Sequence, residues 1–167
     1  MSSTMDTRTR AIDAVGPAAL GWGTLGGVLA GSLTWAVWIV FMLVAKRDAG
    51  MLPGLLATPI AAFVGGIVAF PLSVVWAVML RTSASRSQQA PIDVANRLQL
   101  VSVALMSVVI VLVNVLVVTR EGASFVDALP WMGSADVVAL LTANWVGYRV
   151  GRSYLRTYEA PTSEPPF

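Results

Sequence analysis

Neither cysteine nor histidine occurs among the 167 residues of this chain, and lysine occurs once, as Lys46. The first absence excludes disulfides, acylated lipoprotein anchors, thiolate metal sites and thiol redox chemistry. The second removes the usual general base and the usual zinc or haem ligand, so no cofactor is expected. Charge is scarce as well: 12% of residues are Asp, Glu, Lys or Arg, for a formal net charge of +2. Soluble domains carry about 25%. The basic residues are scattered rather than gathered on one face, so no nucleic-acid partner is expected. The preference for Arg over Lys, with abundant Ala, Val and Gly, points to a GC-rich bacterial genome.

Apolar residues make up the balance, at 56%. They fall in four runs, residues 18–45, 55–80, 98–118 and 134–150. A helix rises about 1.5 Å per residue, so about 20 apolar residues cross a hydrocarbon core about 30 Å thick. Three runs reach that length and the fourth nearly does. The expected fold is therefore all-α, a polytopic four-helix transmembrane bundle over residues 18–150. An N-terminal segment, 1–17, and a partly disordered tail, 151–167, flank it in the cytoplasm. The first run far exceeds a signal-peptide core of about 7–15 residues, so it reads as a retained anchor.

Four crossings put the two termini and the 81–97 connection on one side, with Arg8, Arg10, Arg81, Arg86, Arg97, Arg149, Arg152 and Arg156. Lys46, Arg47 and Arg120 fall on the other. That bias predicts cytoplasmic termini and a multi-pass protein of the bacterial inner membrane. Trp22, Trp76 and Trp145 fall near the cytoplasmic boundary and Trp131 near the outer one, where indoles anchor helices. Trp35 and Trp38 share a face deeper in the first span.

Local signals refine the spans. Pro71 predicts a kink in the second. Pro91 and Asp93 suit the first turn of a helix that begins before the third. Gly133-Ser134 reads as the start of the fourth, which continues past Tyr148 with Arg149, Arg152 and Arg156 on one wet face. In residues 124–131, Phe125, Val126 and Leu129 oppose Asp127, which suggests a short amphipathic piece on the outer leaflet, ended by Pro130. The connection 81–91 reads as flexible and 160–167, with Pro161, Pro165 and Pro166, as disordered.

Two constellations stand out. Gly23, Gly27 and Gly31 form overlapping GxxxG steps, and the second span carries small residues four apart in Ala61, Ala62, Gly65 and Gly66, of which Ala62 and Gly66 are assigned to the seam. Such seams let helices approach closely where lipid offers no hydrophobic drive for association. The seam serves packing inside the chain or self-association. Residues 21–26 also spell GxGxxG, but a dinucleotide site needs a preceding strand and a downstream acid, and this stretch opens a membrane span. The second constellation is polar. Asn114 and Asp136 fall at similar depth near the outer side, and Asn144 lies nearer the cytoplasm. An intramembrane carboxylate is a functional candidate by default, although Asp136 also suits a helix N-terminus.

No acid–base pair, activated nucleophile or metal set can be assembled from these residues, so an enzyme is not expected. The expectation is a non-catalytic accessory or scaffold subunit, partnered by membrane lipids and by other membrane subunits or its own copies. The alternative is an oligomeric small-solute or ion transporter or channel.

Overall fold

The computed structural model describes residues 2–45, 49–121 and 125–160, with side chains left undescribed at 2–6, 45, 49–52, 117, 120–121 and 125–131. The chain forms four long helices: α1 (Ser2–Ala45), α2 (Thr58–Arg86), α3 (Pro91–Glu121) and α4 (Phe125–Glu159). A 3₁₀ segment, Ala49–Ala57, leads into α2. Among the described residues three helical stretches are long and apolar enough to cross a bilayer: Thr7–Val44, Pro53–Arg86 and Pro91–Leu116. α4 is the most two-faced of the four helices, which suits an element packed along two others.

α1 occupies the middle of the arrangement. It packs along α2 on one side and α4 on the other, α3 packs on α4, and α2 and α3 touch little. One row at four-residue spacing explains this. Ala11, Val15 and Ala19 are buried near the chain start, and Gly23, Gly27 and Gly31 continue the row. The facing row on α2 is Ala61, Gly65, Ala69 and Ser73. A Cβ on Gly31 would lie 2.5 Å from the Ala61 carbonyl oxygen, and one on Gly27 would lie 2.7 Å from that of Gly65. The seam foreseen on α1 is thus filled by α2. Of the small pairs on α2, Ala61 and Gly65 meet the glycines themselves, and Gly66 faces the Val28 side chain of α1, 3.0 Å from where its Cβ would be. α4 uses a second seam against α3, where Gly147 meets Gln99 and Ser102, and Gly151 meets Ala95.

The packed core lies at the end that holds the start of α1. Ala11, Val15, Leu80, Ala84, Val94, Leu98, Val150 and Tyr154 are buried together there. Arg8 donates to the Ser87 carbonyl, and Arg81 pairs with Asp13 at 2.5 Å. That exposed pair contributes less than about 1 kcal/mol. Burial holds the Tyr154 phenol above its ordinary pKa, with nearby Arg8 pulling the other way.

Described residues of the segment 1–17, for which the sequence carries no secondary-structure expectation, are helical from Ser2 onward, and Ala11 and Val15 are buried there. At 44 residues, α1 is about 66 Å long, twice a hydrocarbon core. The 81–91 connection is helical to Arg86 and shrinks to a link of 87–90. There the Gln89 amide donates to the Ser87 hydroxyl at 3.4 Å. α2 stays helical on both sides of Pro71, the position where the sequence predicts a kink. α4 begins at Phe125, so neither Pro130 nor Gly133-Ser134 delimits it. The amphipathic side chains of 125–131, the residues 46–48 and the tail 161–167 lie outside the described residues. Pro91 and Asp93 open α3 as the sequence suggests.

Candidate functional site

Because α2 and α3 touch little, a cleft of about 800 Å³ opens between them. α1 and α4 line it as well, through Gly31, Trp35 and Trp38 and through Asp136 and Ala139. Its floor lies toward the packed end, where the buried Trp76 Nε1 of α2 donates to Ser102 Oγ of α3 at 3.1 Å. Trp76 was expected to anchor the lipid interface. Its apolar ring is instead enclosed by the bundle, and its N–H finds a partner inside.

The walls are almost wholly apolar. Ile60, Val64 and Val68 come from α2, and Val109, Ile110 and Val113 from α3. Trp35 and Trp38 stack with centroids 5.2 Å apart. Trp35 is also pinned, since its Nε1 donates to the Gly54 carbonyl at 2.8 Å. Asp136 is the one ionisable residue among the described lining residues. Asn114 Nδ2 donates to Asp136 Oδ2 at 2.8 Å across α3 and α4, which orients the carboxylate. A carboxylate oxygen and stacked indole faces both favour positive charge in a low-dielectric wall.

The other polar candidate stands apart. Asn144 is exposed, accepts from Gln99 Nε2 at 2.7 Å and lies eight residues from Asp136, about 12 Å along the helix. Trp22 and Trp145 meet edge to face at 5.3 Å, and the Arg149 guanidinium sits over both, 4.9 and 5.4 Å from their centroids. Arg149 was expected on a wet face with Arg152 and Arg156. It is half-buried instead, and its Nε has no hydrogen-bond partner among the described residues. The Trp131 side chain lies outside the described residues. Sequence reading missed the Gly147–Gly151 seam, although its GxxxG spacing is visible, because the flanking Tyr148 and Arg149 read as a membrane exit.

The helical bundle and its three long apolar helices mark an all-α membrane protein. The chain matches no protein-family model, no curated protein and no solved structure.

Proposed function

We propose that this is a non-catalytic integral membrane protein that admits a small lipophilic guest from the bilayer into the α2–α3 cleft. Asp136 selects guests that carry positive charge or a hydrogen-bond donor. The observation that carries this reading is a lateral, apolar cleft with a single oriented carboxylate in its wall. The reading includes four crossings, cytoplasmic termini and a bacterial inner membrane. The packing of α4 along α1 and α3 supports the fourth crossing, and the arginine bias supports the orientation.

The rival reading is an accessory or scaffold subunit that receives a partner helix or another copy. The oriented Asp136 carboxylate favours the small charged guest, because an apolar partner helix laid over the cleft would bury it without a counter-charge. The glycine seam that made self-association attractive is occupied by α2. This is the small-solute branch of the sequence expectation, without its need for an oligomeric pore.

The test uses two ions of one shape and opposite charge, tetraphenylphosphonium and tetraphenylborate, titrated against the protein in nanodiscs. Quenching of tryptophan fluorescence reports binding beside Trp35 and Trp38. The cation is expected to bind saturably, and Asp136→Asn to weaken it about tenfold or more, the effect of one lost charge interaction of about 1.4 kcal/mol. Asp136→Glu is expected to retain binding. Equal affinity for the two ions, or an unaffected Asp136→Asn variant, contradicts the reading. A stoichiometric protein partner held through purification favours the subunit instead.

A further inference from the structure

We propose that a second pocket, at the packed end between α2 and α3, binds one anionic phospholipid by its headgroup phosphate. The pocket holds about 380 Å³ and is distinct from the cleft, sharing none of its lining residues. Arg86 of α2 and Arg97 of α3 both line it, with Ser83 beside them. Among the described residues neither guanidinium has a hydrogen bond or an ion pair. The acids nearby do not neutralise them: Asp13 is taken by Arg81 at 2.5 Å, and Asp93, one turn before Arg97, forms no salt bridge among the described residues. Two unengaged guanidiniums lining one pocket suit a phosphodiester, which accepts paired N–H bonds from each fork.

What lies beside the arginines identifies a lipid rather than a free anion. Val101 and Leu105 follow Arg97 at spacings of four and eight, and they line the same pocket. Met79 does the same on α2, seven residues before Arg86. Each helix thus presents a basic residue near its end and apolar residues on the same face toward the bundle middle. That is the order of a headgroup and its acyl chains. Basic pockets between membrane helices on the cytoplasmic side meet the anionic leaflet, where each Arg strengthens attachment. The site is independent of the guest proposed for the cleft.

The test places the protein in nanodiscs of phosphatidylcholine with a minor share of phosphatidylglycerol and counts retained lipids by native mass spectrometry. The wild type is expected to keep one phosphatidylglycerol in preference to phosphatidylcholine. R86Q/R97Q is expected to lose that retention about tenfold or more, while its circular dichroism and melting stay those of the wild type. If the double variant misfolds, Arg97→Gln alone is read in the same way, with a smaller loss expected. Millimolar inorganic phosphate is expected not to displace the lipid. Equal retention of the two lipids, wild-type retention in the folded variant, or displacement by phosphate overturns the assignment.

Discussion

Gly27→Leu is expected to destroy the α1–α2 interface and with it the bundle. A Cβ at this position would overlap that of Ala69 and stand 2.7 Å from the Gly65 carbonyl oxygen. Backbone cannot rotate aside as a side chain can, so the two helices must separate. Overpacking costs about 1–3 kcal/mol where neighbours can yield, and here the expected loss is at the top of that range or beyond. In lipid there is little else to hold the pair, because close packing itself drives association. Gly21→Ala is the control. Nothing lies within 4 Å of its added methyl, so it should be neutral or stabilising by up to about 1 kcal/mol through helix propensity. Reversible unfolding in mixed micelles, followed by circular dichroism, measures both. A Gly27→Leu variant that folds normally but changes its oligomer mass would mean that the seam faces another molecule.

Gly147→Leu should be nearly as damaging, and for a more connected reason. Its Cβ would lie 2.8 Å from Gln99 Cα and 2.9 Å from Ser102 Oγ. Ser102 is the residue that accepts from Trp76. The substitution therefore wedges α4 from α3 and displaces the hydroxyl that joins α3 to α2, so three helices respond to one change. The expected cost is about 3 kcal/mol, with a red shift of tryptophan emission as the Trp76 indole loses its enclosure. Ser102→Ala separates the two effects. It removes the hydrogen bond alone, worth about 0.6 kcal/mol on average inside membranes. A Gly147→Leu variant no weaker than Ser102→Ala would contradict the steric account.

These two glycines also show what the sequence discloses. The runs announced helices by length, and the spacing of Gly23, Gly27 and Gly31 announced a seam. Its partner face was harder to read, because α2 carries small residues in adjacent pairs, Ala61-Ala62 and Gly65-Gly66. Choosing between the members of a pair turns the helix by about 100°, and only packing decides. The helix through 2–17 was legible in principle, since Ala11, Val15 and Ala19 extend the glycine row at the same spacing. Charged neighbours hid it. The start of α4 was misread because Gly133-Ser134 resembles a boundary, yet the neighbouring turns carry the helix through. Composition placed Asn114 and Asp136 at similar depth, but their 2.8 Å bond depends on how α3 meets α4. Neither the parting of α2 from α3 nor the meeting of Arg86 with Arg97 leaves a local trace, since both follow from the angle between helices.

The most direct test of the account is sidedness, and the natural absence of cysteine makes it clean. Single cysteines replace Gln88 in the α2–α3 link, Ala160 after α4 and Thr119 just beyond the third apolar run, all exposed positions, and a membrane-impermeant maleimide is applied to intact cells. The account predicts that Thr119→Cys reacts from outside, while Gln88→Cys and Ala160→Cys react only after the membrane is opened. Labelling of Ala160→Cys from outside with Gln88→Cys protected would leave three crossings and contradict the four-span bundle.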